Sequence, residues 1–382
     1  MKKKYPWFDI YWDENDVEAV NEVIRRGSYW AAGPEIRQFE KKLEDFFEVE
    51  HVLTFNSGTS ALHSLLIAYE ITSGEVIVPS FSFISTVNCV VLAGARPVFA
   101  DIEKESFGLD YREVQKKINS KTKAILPMHY AGKICRDITK LKKIAEKENI
   151  LLIEDNAESF GATYNGKLAG TFGDSSMLSF CQNKVLTTGE GGAALTNKTE
   201  IYEKLKLLRS HGRVEDKDTN YFESIDFMDY VDIGYNYRLP TMSAALGISQ
   251  FKKIDKMIKI RRNVGKYYDK MLKKIPQVEI IEDYPGVKSV YQFYAFLVKE
   301  KRHRDPLREH LKEKNIFTKV QFQPIHQKTS FKNRFDVKKE DLDNTENISN
   351  RVISLPFSLN FSKLDQNSIV DCIKDFFIET EN

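Results

Sequence analysis

Lys184 stands between the segment "SFCQN" and a loop holding three glycines, "TTGEGG". Glycines in such a loop let backbone approach a ligand closely. A lysine there, near a phosphate site, is placed for covalent chemistry with an aldehyde, because a cationic and partly desolvated setting favours the neutral amine. Three further stretches offer groups for the same ligand. "NSGTS", residues 56–60, follows an apolar run and opens a helical one. Gly58 permits the tight turn, Thr59 and Ser60 bring hydroxyls, and the first helical N–H groups are free donors, which together make an anion site. "IEDNAES", residues 153–159, puts Asp155 at the mouth of an apolar run, where a carboxylate is costly without a cation or several donors. Its neighbour Glu154 points to the opposite face. "SFSFIST", residues 80–86, offers Phe81 and Phe83 as flat apolar surfaces. Taken singly, each stretch has a plain explanation: a capped helix start, a helix-capping aspartate, one surface lysine among many, core phenylalanines. Taken together they ask for a ligand with a phosphate, an aldehyde, an aromatic face and a ring nitrogen that needs a carboxylate. Pyridoxal phosphate has all of these. Its phosphate would go to the "SGTS" helix start with Ser179, its nitrogen to Asp155, its ring to Phe83 and its aldehyde to Lys184.

The elements that must position these residues alternate. "HVLTF", "EVIVP", "RPVFADI", "AILPMHYAG" and "ILLIEDNA" are expected as strands. "ALHSLLIAYE", "SFISTVNCVVLAG" and "DITKLKKIAEKEN" between them are expected as helices. Strand, helix, strand at this pitch means βαβ crossovers and a mostly parallel sheet. From about residue 250 the texture changes. "QFKKIDKMIKIRRNVGKYYDKMLKKI" is expected as one long helix with a buried stripe and a solvated lysine face, not a nucleic-acid site. "SVYQFYAFLVKE" and "FTKVQFQPIH" are expected as strands around the helix "DPLREHLKEKN". The expected division is a large cofactor-binding α/β domain over 1–249 and a smaller α+β domain over 250–382, which is expected to pack with the N-terminal segment. The chain of 382 residues has a formal net charge of +2, so no general attraction to nucleic acid or membrane follows. No apolar run reaches about 18 residues. Lysines open the chain without an apolar stretch behind them, so no signal peptide is expected. Four dispersed cysteines, Cys89, Cys135, Cys181 and Cys372, suggest neither a disulfide framework nor a metal site, and fit a reducing cytoplasm.

The stretches "GPEIRQFEKKLEDFF", "NSGTSALH", "EVIVPSFSFISTVN", "GARPVFADI", "IEDNAESFGATYNGK", "SFCQNKVLTTGEGGAALTN" and "IGYNYRLPTMSAALG" resemble the DegT/DnrJ/StrS-type family. These are fold-type-I, pyridoxal-phosphate-dependent aminotransferases acting on nucleotide-linked keto-sugars. The resemblance implies that Lys184 is the Schiff-base lysine and Asp155 the partner of the pyridine nitrogen. It makes Ser179, Thr59 and Ser60 the phosphate ligands. It further implies that Asn236, in "GYNYR", reaches the cofactor phosphate of a neighbouring subunit, so that a homodimer shares its active sites. L-glutamate is the implied amino donor, and pyridoxamine phosphate the other cofactor form in the cycle. The chain departs from the family pattern at Cys181, where many members carry histidine, and at Gln321–Phe322, ahead of the matching His326. Glu158 stands where members often have Gln or His. A glutamate there resembles perosamine synthases, which aminate C4 of a GDP-linked 4-keto-6-deoxy sugar. Arg213, Arg238 and His326 are candidates to contact the nucleotide sugar. The alternatives are a 3-keto-sugar aminotransferase, a lyase or desulfurase of the same fold, and a non-catalytic regulatory protein. Relatives that dehydrate the sugar replace the lysine with histidine, and Lys184 sets that reading aside. A nucleotide-binding module is disfavoured because "NSGTS" lacks the lysine of a Walker loop.

Overall fold

The computed structural model describes residues 3–214, 229–335 and 341–381. Two helices come first, α1 (Glu14–Arg26) and α2 (Pro34–Phe47). Asp13 caps α1 by accepting the Asn15 N–H, and Asp16 accepts the Asp13 N–H in return. Alternation then begins: β1 (His51–Phe55), α3 (Gly58–Ala68), β2 (Glu75–Pro79), α4 (Ile84–Ala93), β3 (Arg96–Ala100), α5 (Tyr111–Lys117), β4 (Thr122–Ile125), α6 (Ile138–Glu148) and β5 (Leu151–Asp155). A short ribbon, β6 (Thr163–Tyr164) and β7 (Lys167–Leu168), precedes β8 (Ser175–Ser179), β9 (Gly192–Thr196) and α7 (Thr199–Arg209).

Seven of these strands form one sheet in the order β1-β9-β8-β5-β4-β2-β3. β9 runs antiparallel to both neighbours, and the other pairings are parallel. Helices cover both faces, which is why the strands read as near-continuous apolar runs. Leu53, Val76, Val78, Ile153 and Met177 face a core built with α3, α4 and α7. Val52, Ile77, Leu152 and Leu178 face the opposite core, with α2 and α6. Each such buried side chain contributes about 1.5–3 kcal/mol.

The rest of the chain is α8 (Thr241–Phe251), α9 (Ile254–Leu272), β10 (Val278–Ile280), β11 (Val287–Lys288), β12 (Tyr294–Val298), α10 (Arg304–Glu313), α11 (Thr329–Lys332), α12 (Asp343–Ser349), β13 (Val352–Leu355) and α13 (Lys363–Glu381). β10, β12 and β13 form a second, antiparallel sheet, and β11 joins the β6–β7 ribbon. The expected single helix from residue 250 is instead interrupted at Lys252–Lys253. Buried Asp16 is the cause. Its carboxylate accepts from Ser249 Oγ (2.6 Å), Gln250 Nε2 (2.7 Å) and Lys253 Nζ (2.6 Å), which pins the end of α8 onto α1. α9 then sets off anew. Its Ile254, Met257 and Ile258 pack on the large core, and Val264, Tyr268 and Leu272 on the smaller one.

The stretch 317–326, expected as a strand, is not one. Only isolated bridges form, Ile316 with Tyr5 and Lys319 with Ser354. Pro324 cannot donate to a ladder, and the Ile325 N–H turns to Ser80 O (2.9 Å). The N-terminal segment does pack on this unit: Phe317 N–H donates to Tyr5 O (3.0 Å) and Phe357 N–H to Trp7 O (3.0 Å). Among the described residues no helix is long and apolar enough to cross a membrane.

Candidate active site

A cavity of about 440 Å³ opens at the carboxyl ends of β1, β5 and β8, the place where open α/β sheets bind ligands. Each wall follows from a local element. Ser57 leaves β1 in an extended conformation and caps α3, its Oγ accepting the Ser60 N–H (3.0 Å). The backbone of Gly58 and Thr59 therefore faces the cavity with its helical N–H groups uncommitted. A Cβ on Gly58 would lie 2.9 Å from Met177 Sδ, so only glycine lets α3 begin this close to β8. Ser179 ends β8 and also lines the cavity. Phe83 caps the start of α4 and is 59 % exposed, on the cavity wall. Phe81 instead is buried against Phe107 and Tyr130.

Asp155 is the last residue of β5 and is 3 % exposed. Thr86 Oγ1 donates to one carboxylate oxygen (2.7 Å) and the Ala157 N–H to the other (3.1 Å). Burial pushes the carboxyl above its ordinary range, and those two donors oppose the shift. No cation lies within ion-pair distance of it among the described residues. Glu158, also buried, accepts the Ala131 N–H (2.9 Å), and its other oxygen is 3.8 Å from Lys184 Nζ. Burial raises its pKa as well, with Lys184 opposing. Glu154 does point to the opposite face. There it accepts Phe172 N–H and Gly173 N–H (both 2.7 Å), Gly170 N–H (2.9 Å) and His129 Nε2 (2.9 Å). His129 Nδ1 accepts the Cys135 N–H (3.1 Å), which leaves the proton on Nε2 toward Glu154. That network fixes the loops flanking β5.

The donor set suits pyridoxal phosphate. One end offers hydroxyls and free helical N–H groups for a dianion. A buried carboxylate without a cation awaits a protonated ring nitrogen, an exposed aromatic face stands beside it, and the Lys184 amine is within reach of the same cavity. The profile of the DegT/DnrJ/EryC1/StrS aminotransferase family matches residues 11–374. The chain belongs to this family. It is therefore an aminotransferase, of a family that depends on pyridoxal phosphate.

The aminotransferase is 34% identical over 375 residues to the GDP-perosamine synthase of Vibrio cholerae, covering 97% of this chain and 99% of that protein. It is 32% identical over 386 residues to the UDP-4-amino-4,6-dideoxy-N-acetyl-beta-L-altrosamine transaminase of Helicobacter pylori, covering 99% and 100%. The solved structure of Helicobacter pylori PseC, an aminotransferase involved in the biosynthesis of pseudoaminic acid, superposes with a TM-score of 0.91 at 31% identity, covering 99% of this chain and 100% of that one. The fold-type-I α/β architecture is thus shared along the whole length.

Not every expected residue reaches the cavity. Ser60 Oγ is held by Asn56 Oδ1 (2.7 Å) and Ser57 Oγ (2.8 Å) inside the cap, and Ser57 takes its place on the wall. His326, expected to face the sugar, is buried. Its Nδ1 lies 2.8 Å from Ser80 Oγ and its Nε2 2.8 Å from Glu346, which fastens the turn after Pro324 to the end of β2. Arg238 bonds Ser210 Oγ (3.2 Å), Arg213 is buried, and neither lines the cavity. Asn236 is exposed, and its carbonyl accepts from Asn56 Nδ2 (3.5 Å). Cys181 lines the cavity with its Sγ 3.4 Å from Glu190, and burial, then that carboxylate, push its thiol pKa up. Gln321 and Phe322 are on the wall as expected. Trp7 and Lys319 are wall residues that no motif announces. Lys319 Nζ lies 4.2 Å above the Trp7 ring.

Proposed function

We propose that this aminotransferase moves an amino group from L-glutamate to C4 of a nucleotide-linked 4-keto-6-deoxy sugar, with pyridoxal phosphate and its pyridoxamine form as carriers. The single observation behind this reading is the Lys184 amine 3.8 Å from buried Glu158, in the cavity that Asp155 also lines. When bound, pyridoxal phosphate supplies a carbonyl for amine capture and a sink for the electrons released when a C–H bond breaks. Ser57, Thr59, Ser179 and the start of α3 hold the phosphate. Asp155 would keep the proton on the ring nitrogen, and Phe83 would offer the ring an apolar face. Lys184 Nζ would take a proton from the α-carbon of the donor and deliver it to the carbon on the far side of the donor nitrogen, a 1,3-shift in which one amine serves as general base and then general acid. Glu158 orients that amine.

The names of two relatives support this choice of sugar. One is named for a GDP-linked product and another for a UDP-linked 4-amino-4,6-dideoxy sugar. The nucleotide differs between them, while Glu158 favours amination at C4. Lys319 over Trp7 stands at the cavity as countercharge for a diphosphate. The functional unit is a homodimer, in which exposed Asn236 reaches the partner's cofactor phosphate.

Two half-reactions through one cavity give ping-pong kinetics. Lys184→Ala should lower turnover by at least about 10³-fold, the acid–base share alone being about 10²–10⁴. The check is single-turnover absorbance with L-glutamate, then with a nucleotide-linked 4-keto-6-deoxy sugar, and NMR of the product. Near-normal turnover in the variant, or nitrogen found at C3, would overturn the assignment.

A further inference from the structure

Gln292 lies between Tyr291 and Phe293, ahead of β12 in the antiparallel unit, and is 4 % exposed. Its side chain does not serve that unit. The Nε2 amide donates to the backbone carbonyl of Asn183, the residue before Lys184. Its backbone N–H donates to Ala131 O (3.0 Å), and the Ala131 N–H donates to Glu158 Oε2 (2.9 Å). Glu158 Oε1 faces Lys184 Nζ at 3.8 Å. The contacts close a ring: Gln292, Asn183, Lys184, Glu158, Ala131 and back to Gln292. The ring is itself anchored, since buried Arg261 of α9 donates to the carbonyls of Tyr291 (3.0 Å) and Gln292 (3.1 Å).

Two facts make the ring more than packing. Gln292 Oε1 is buried with no protein partner among the described residues. Reversing the amide would set that oxygen against the Asn183 carbonyl, so the bond to Asn183 decides the orientation despite the cost of an unsatisfied acceptor. Lys184 also sits where the chain is held by few local bonds, its own N–H reaching Cys181 O (2.9 Å) within a tight turn. A link from outside that turn therefore sets where the turn lies relative to Glu158.

We propose that Gln292 is a positioning residue which, through Asn183 on one side and Ala131 on the other, holds the Lys184 amine and the Glu158 carboxylate at their working separation. This rests on the reading of Lys184 as the reacting amine and names what fixes it. Misplacing a reacting group by about 1 Å can cost up to about 10² in rate.

The test uses Gln292→Met and Gln292→Glu in the full-length protein, both keeping side-chain length and both removing the amide donor. Two readouts are taken: the rate at which cofactor-free protein captures added pyridoxal phosphate, followed by absorbance, and the kcat and KM of the L-glutamate half-reaction. Both variants should capture the cofactor about tenfold more slowly and lose about tenfold in kcat with KM unchanged. Combined with Glu158→Gln, the losses should be less than additive, because both changes act on one separation. Wild-type capture rates, or additive losses, would overturn the proposal. A second measurement needs no variant. Hydrogen exchange of the wild-type protein should show the amides of Lys184 and Gln292 opening together with one free energy. Independent opening would overturn it. A wild-type protein that captures no pyridoxal phosphate at Lys184 would instead overturn the underlying reading.

Discussion

Asp155 is a carboxylate whose surroundings penalise its charge until a cation arrives. Its folded pKa is raised from 3.8 by burial, so the folded state holds the proton more tightly than the unfolded chain. Stability therefore falls as pH rises from about 3.8 through the folded value, and the full penalty is present above it. Asp155→Asn should therefore raise the thermal midpoint of the cofactor-free protein at neutral pH, with the gain shrinking toward pH 4. The same change should cut turnover of the loaded enzyme by about 10²–10⁴-fold, since a neutral amide cannot hold the ring proton. Calorimetry across pH and steady-state rates check both halves, and a lower midpoint at pH 7 would contradict the first. Lys319→Met tests the countercharge. Losing a charge-assisted contact of about 1.5 kcal/mol should raise KM for the nucleotide sugar about tenfold and leave the L-glutamate half-reaction untouched. Asp155 and Ser179 could be placed from the sequence because each closes an apolar run that must be a buried strand, which puts it at a strand's carboxyl end; Lys184 stood out by its glycine loop, and Glu158 only by the family resemblance. Trp7, Lys319 and Gln292 carry no such mark. Lys319 and Trp7 meet across some three hundred residues of chain, and one lysine among many gives no local sign of it.

The start of α3 is the element proposed to hold the phosphate, and β9 packs directly against it. A Cβ on Gly192 would come 2.4 Å from Gly58 N and 2.5 Å from the Ser57 carbonyl carbon. Both are backbone atoms that cannot swing aside. Gly192→Ala should cost about 1–3 kcal/mol, read as a lower denaturant midpoint, and should weaken pyridoxal phosphate binding measured by titration. A variant with unchanged midpoint and affinity would show that the helix start shifts freely. At this scale most of the seven-stranded sheet could be read directly. "HVLTF", "EVIVP" and the "LLIED" part of the fifth run are strands because apolar residues on both sides of the chain meet two cores. The failures have physical reasons. Periodicity carried through Lys252–Lys253, since the break is imposed by Asp16 on α1, more than two hundred residues away. Residues 317–326 mix β-branched and aromatic residues with polar ones as a strand can, but the N–H of Ile325 goes to Ser80, just past β2, instead of a ladder.

At the scale of the molecule, large apolar side chains remain outside: Trp12, Trp30, Val231 and Ile233, the last 84 % exposed. The proposed homodimer would cover surface of this kind. Sedimentation should give twice the chain mass of 44.2 kDa, and Ile233→Asp should shift the protein toward the monomer and lower turnover with it. A monomeric, fully active wild-type protein would exclude shared active sites. The cavity wall, meanwhile, joins distant parts of the chain: Trp7 is held by the backbone of Phe357, and Lys319 stacks upon it. A ribosome that has already delivered all seven strands of the main sheet still carries a nascent polypeptide with that side of the cleft missing. The part of the cleft proposed for the nucleotide sugar is accordingly finished last, only after translation has passed the last of these residues.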